Sequence, residues 1–208
     1  MTSLTRITLD VSTVARLGIR DVYDWHQRAW ECFPDRDGQP RDFLTRLDRK
    51  AERFQLLLVS PRESVRPTWC PAACWHGPKS IPESYFSRIR YRFQLCANPT
   101  KKVAVQNPDG TFKKNSRRVP LSTREALIAW IKRKGEQGGF SVAEDSLRTI
   151  PRGREYFQTN GQRGLHSAVE FQGVLTVTDS RKFSEVFTRG IGPAKAFGFG
   201  LLVIVPVR

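Results

Sequence analysis

Cysteine, histidine, long apolar runs and carboxylate clusters are scarce in this sequence, and each scarcity excludes something. Four cysteines in 208 residues, Cys32, Cys70, Cys74 and Cys96, are too few and too scattered for a disulfide framework. No apolar run approaches the roughly 20 residues of a membrane-spanning helix; the late run Leu201–Val207 is strand-length. The opening MTSLTRITLDV lacks the apolar core and small-residue cleavage site of a secretory signal. A reduced, cytoplasmic protein with no membrane partner is expected.

Cys70, Cys74 and His76 have the spacing of half a zinc site. Structural zinc takes four ligands, usually as two spaced pairs, and no second pair exists here. The stretch reads as an irregular loop with two half-buried thiols, and neither metal nor cofactor is expected.

Acidic residues are scarcest where basic ones are densest. Lysine and arginine number 35 against 20 aspartates and glutamates, net +15. Residues 88–134 hold 13 basic and 2 acidic side chains, so +11 of that excess falls in this one segment. An even mixture would serve solubility as well, so a concentrated block points to a polyanionic partner, nucleic acid first. The same block argues against a metal-dependent nuclease, which wants several acidic ligands.

A 39% hydrophobic fraction is enough for a core, and the chain has room for one or two domains. Leu4–Val11 alternates as a strand does. Asp21–Phe33 reads as a helix capped by Asp21, with Val22, Trp25, Ala29 and Phe33 on its buried stripe. Asp42–Asp48 and Arg53–Ser60 form a hairpin, and the proline-rich stretch Pro61–Pro82 reads as irregular. The order then repeats. Arg88–Ala97 is a strand, and Ser122–Lys134 a helix with a Ser122/Glu125 capping box. Two strands flank the turn signal Asn160-Gly161, and Val169–Thr178 is strand-like. Ser180–Arg189 is a helix stopped by Gly190, and Leu201–Val207 a final strand. Strand, helix and hairpin twice over predict an α+β fold. It comprises two tandem ferredoxin-like (RRM-like) domains, residues 1–87 and 88–208, with antiparallel sheets backed by helices.

Two features can carry function. Tyr23, His26 and Trp30 share a helix face at the margin of the apolar stripe. An imidazole there can exchange the protons that RNA cleavage through a 2′-hydroxyl requires, or be a half-buried structural histidine. The segment Gly190–Gly200 follows a helix and precedes a strand, the reverse of a nucleotide-binding loop. It can let backbone approach a phosphate chain, with Lys195 adding charge, or simply need positive φ angles.

The helix with Tyr23 and His26, FQLCANPTKK at Phe93–Lys102, RRVPL at Arg117–Leu121 and GIGPAKAFGFGLL at Gly190–Leu202 together resemble the CasE family. These are CRISPR RNA-processing endoribonucleases of the Cascade complex, and the similarity spans essentially the whole chain. The resemblance implies metal-independent cleavage at the 3′ base of a repeat stem-loop, with the guide RNA kept bound among other Cascade subunits. It implies His26 and Tyr23 as catalytic residues. It implies RNA contacts from a basic hairpin, with Arg152, Arg154 and Arg163 as candidates. The basic block adds Lys101, Lys102, Arg117 and Arg118 as expected RNA contacts, and the glycine-rich loop adds Gly190, Gly192 and Lys195. Some members carry a lysine soon after the histidine; here none follows, and Arg28 is the candidate substitute. A monomer is expected outside the complex. The competing reading is a tandem RNA-binding protein without chemistry, and a weaker one a ribosomal-type or membrane-surface basic protein.

Overall fold

A computed structural model describes residues 2–34, 38–112, 117–159 and 162–207, with backbone alone at 157–159, 162 and 163. Two antiparallel sheets organise the chain. The first contains β1 (Thr2–Asp10), β2 (Leu44–Lys50), β3 (Arg53–Ser60) and β4 (Trp75–Ile81), in the order β2-β3-β1-β4. The short helix α1 (Val11–Arg16) and α2 (Val22–Trp30) lie between β1 and β2. Period-two alternation turns Ile7 and Leu9 of β1 and Leu56 and Leu58 of β3 inward, against Trp25 and Ala29 of α2.

Three expectations are corrected in this half. The chain turns helical at Val11, because the Asp10 carboxylate accepts the Thr13 N–H and caps α1. Helix α2 ends at Trp30, three residues before Phe33. Pro61–Pro82 is not irregular throughout, since Trp75–Ile81 pairs with β1 and completes the sheet. Its exposed residues and internal Gly77-Pro78 hide it from any alternation test.

The second sheet contains β5 (Arg90–Ala97), β8 (Phe140–Val142), β10 (Gln162–Val177) and β11 (Leu202–Pro206), in the order β11-β5-β10-β8. Strand β9 (Arg148–Thr159) also pairs with β10, forming an arm that runs past the last residue β5 can pair. A register shift at Ala168/Val169 marks where the arm leaves the sheet. The turn Asn160-Gly161 lies outside the described residues. Between β5 and α3 (Arg124–Gln137), β6 (Thr100–Val103) and β7 (Arg117–Pro120) make a separate two-stranded ribbon. Helix α4 (Ser180–Arg189) leads to the glycine-rich loop and β11.

Helix α3 is capped by Thr123, whose hydroxyl accepts the Ala126 N–H, and not by Ser122. It also runs past Lys134 to Gln137, with Gly135 inside it. Leu127, Trp130 and Ile131 of α3 and Phe183 and Phe187 of α4 bury against Tyr91, Phe93, Leu95 and Phe171. Leu44 and Val59 of the first half join this core. The Tyr85 hydroxyl donates to the Ile204 carbonyl at 2.7 Å. Each half has the ferredoxin-like strand order, and the two are packed together. Among the described residues, no helix is long and apolar enough to cross a membrane.

Candidate active site and nucleic-acid interface

Helix α2 begins where the Asp21 carboxylate accepts the backbone N–H groups of Tyr23 and Asp24, at 2.8 and 3.0 Å. That cap fixes the helix phase. Val22, Trp25 and Ala29 bury, and Tyr23, His26 and Trp30 line the margin. The Trp30 indole N–H donates to His26 Nε2 at 3.1 Å. An indole can only donate, so Nε2 is an acceptor and the imidazole proton sits on Nδ1. Tyr23 and Phe43 stand 6.4 Å from the His26 ring, centre to centre, and Trp30 6.1 Å. Burial in this aromatic setting, and then the positive charge of Arg41, pull the His26 pKa down to about 4. His26 is therefore neutral at pH 7.

The cation beside His26 is Arg41, which the sequence patterns do not reveal. Its guanidinium lies 5.6 Å from the centre of the Phe43 ring, and Nη1 donates to the Lys195 carbonyl at 2.7 Å. Among the described residues no carboxylate lies within ion-pair distance of it. Arg28 is committed elsewhere on α2: it pairs with Glu31 at 3.1 Å and donates to the Leu17 carbonyl. It does not supply the charge at His26.

Through Arg41 the fold joins His26 to the glycine-rich loop. Lys195 opens a short 3-10 turn, Lys195–Phe197, that touches both α2 and β2. Its ammonium donates to the Arg189 carbonyl at 2.6 Å. Burial, then Arg41, Lys134 and Arg189 in turn, lower its pKa. The glycines have packing roles here. A Cβ on Gly190, which has φ +74°, would lie 2.8 Å from Leu44, and one on Gly192 would lie 3.0 Å from the Trp130 ring. The positive-φ requirement is thus real at both, and the loop stays half-exposed at Gly192 and Lys195.

The other sequence candidates fall on two further surfaces. Lys101, Lys102, Arg117 and Arg118 are all exposed on the β6–β7 ribbon, with Lys102 opposite Arg118. Arg152 and Arg154 are exposed near the base of the β9–β10 arm. Arg152 pairs at 3.3 Å with Glu170, which is buried. The Arg163 side chain lies outside the described residues. The ribbon reaches toward the loop at one point, because Arg118 and Lys195 line one cleft. The arm approaches α2 directly through β9.

Three of the thiols, Cys32, Cys70 and Cys96, are poor nucleophiles here. Burial pushes Cys32 up to about 12 and both Cys70 and Cys96 to about 11. Among the described residues no three His, Cys, Asp or Glu side chains gather as metal ligands do.

Comparison with known proteins places this arrangement. Residues 3–206 match the model of a family described as CRISPR associated protein. The chain belongs to that family. This CRISPR-associated protein is 33% identical over 198 residues to the CRISPR system Cascade subunit CasE of Escherichia coli strain K12, covering 93% of this chain and 96% of that one. It is 26% identical over 219 residues to the CRISPR-associated endoribonuclease Cse3 of Thermus thermophilus, covering 98% and 99%. Among solved structures, it superposes on CRISPR endoribonuclease Cse3 bound to 19 nt RNA with a TM-score of 0.76. That match has 26% identity and covers 99% of this chain and 100% of that one. Cas6e from Escherichia coli K-12 gives 0.72 at 28% identity, with both chains fully covered. The likeness supports the two tandem ferredoxin-like units.

Proposed function

We propose that this chain is a metal-independent endoribonuclease that binds the stem-loop of a CRISPR repeat in a precursor transcript and cuts at the 3′ base of the stem. The observation that carries the reading is a neutral His26 at the edge of the core with Arg41 beside it, the guanidinium in turn holding the Lys195 carbonyl. The relatives named a Cascade subunit and an RNA-bound endoribonuclease support it. Residues 1–87 would supply the proton-transfer group, and residues 88–208 the surfaces that grip RNA.

His26 Nε2 accepts the proton of the 2′-hydroxyl. The freed oxygen attacks the adjacent phosphorus, forming a P–O2′ bond. The P–O5′ bond breaks, the departing 5′-oxygen takes up a proton from water, and protonated His26 returns its proton to solvent. The products are a 2′,3′-cyclic phosphate upstream and a 5′-hydroxyl downstream. Nε2 has one lone pair, so the Trp30 indole must yield it to substrate. Tyr23, on the same helix face, aligns the 2′-hydroxyl, and Arg41 meets the charge that grows on the phosphate. The arm and ribbon hold the stem by shape and backbone, since A-form RNA hides its base edges in a narrow groove. The mature guide RNA stays bound, and the chain, a monomer by itself in the cytoplasm, joins the other Cascade subunits on it.

The test is labelled repeat RNA incubated in excess chelator. Discrete cleavage is expected from wild type, and a loss of about 10²–10⁴ in rate from His26→Ala, with RNA binding retained. Stable binding with intact RNA in wild type would replace the enzyme with a binding protein.

A further inference from the structure

Behind the glycine-rich loop is a cleft of about 520 Å³, walled by α3, α4 and the loop itself. Six cations line it: Arg118, Arg133, Lys134, Lys182, Arg189 and Lys195. Among the described residues, the one carboxylate in the lining, Glu185, is engaged at 3.6–3.7 Å by Arg181 and Arg189. Lys182 reaches Asp179 at 3.5 Å, outside the cleft. Among the described residues, no carboxylate lies within ion-pair distance of Arg118, Arg133, Lys134 or Lys195.

These charges crowd one another. After burial, Arg133 and Arg118 lower the pKa of Lys134, as Lys134 and Arg189 lower that of Lys195. Like charges gathered without counter-charge destabilise the free protein and are relieved by an anion. The volume suits roughly one or two nucleotides and not a paired stem. Lys195 belongs both to the cleft and, through its carbonyl, to the Arg41 contact beside His26. Lys195 thus connects the cleft to the cation beside His26.

Taking the chain as an RNA-processing enzyme, as above, we infer that this cleft is a second RNA subsite. It holds the phosphodiester backbone of single-stranded RNA that flanks the stem-loop. Phosphates, and not bases, are what it recognises, because its polar lining is guanidinium and ammonium groups.

The experiment compares two repeat RNAs, each made uncleavable by a 2′-deoxy nucleotide at the scissile position. One carries single-stranded flanks on both sides and one is trimmed to the stem-loop. Wild type should prefer the flanked RNA. The paired charge reversal Arg133→Glu with Lys182→Glu should reduce that preference roughly tenfold at moderate salt, as expected when about two phosphates go unneutralised. The flanked RNA's slope of log affinity against log salt should shrink by about 0.7 for each such phosphate. A wild type that binds both RNAs alike, or a double variant that keeps the preference, overturns the subsite. So does a variant whose only defect is in joining other Cascade subunits; that result makes the cleft a protein-docking surface. Failure of wild type to bind or cut repeat RNA at all would instead strike the proposed function.

Discussion

His26 has one lone pair to offer, and in the free protein the Trp30 indole occupies it. That contact and the surrounding burial keep the ring neutral, which is the state a general base must start from. The sign of its pH dependence follows. With a pKa lowered to about 4 by burial and by Arg41, a base is fully competent above that value and is lost as pH falls through it. kcat/KM should hold level between about pH 6 and 8 and fall only as pH approaches 4, because this parameter reports the free enzyme. The groups facing the ring are Tyr23 and Trp30 on α2 and Arg41 and Phe43 ahead of β2. A rate that instead declines steadily as pH rises from 5 to 8 would mean that His26 must begin protonated. Arg41 gives a second prediction at this scale. Arg41→Gln removes the charge and leaves only a shorter amide donor, and should cost about 10²–10³ in single-turnover cleavage at saturating RNA, with Arg41→Lys, which restores the charge, recovering part of it. Equal rates for all three would leave Arg41 as a tether for the Lys195 carbonyl alone.

At the scale of elements, local signals were legible and distant ones were not. Helix α2 could be read from Asp21 and the i, i+3, i+7 spacing of its apolar residues, so Tyr23 and His26 were found together. Arg41 could not be found this way. It lies in a polar stretch fifteen residues after His26, and its partner Lys195 is 154 positions away. Only the packing of one half on the other brings the three together. Strand β4 was hidden for a related reason: its pairing with β1 is long-range, and its residues are too exposed to alternate. At α3 the capping-box pattern was one residue off, because the hydroxyl that points at a free N–H is that of Thr123. Thr123→Ala should therefore lower stability by about 1 kcal/mol and Ser122→Ala hardly at all, measured by denaturant titration. Equal losses would return the cap to Ser122.

Over the whole molecule, the basic charge is spread over several surfaces. The basic excess of residues 88–134 was plain in the sequence, but its arrangement was not. Among the described residues, much of it lies on the exposed face of β5, the β6–β7 ribbon and one wall of the α3–α4 cleft. The two halves meet through shared apolar core and through polar contacts such as Arg46 to Gln94 at 3.4 Å. That packing puts the histidine of the first half within reach of the loop of the second. The central claim is that the substrate's own 2′-hydroxyl is the nucleophile and His26 its proton acceptor. The most direct measurement uses repeat RNA with a single 2′-deoxy nucleotide just upstream of the scissile phosphate, incubated with wild-type protein. The RNA should bind with near-normal affinity, because the phosphate contacts are unchanged, and remain uncut at that position while the all-ribose control is cleaved. Cleavage of the deoxy RNA at the normal site would contradict the account, since its nucleophile would then be missing.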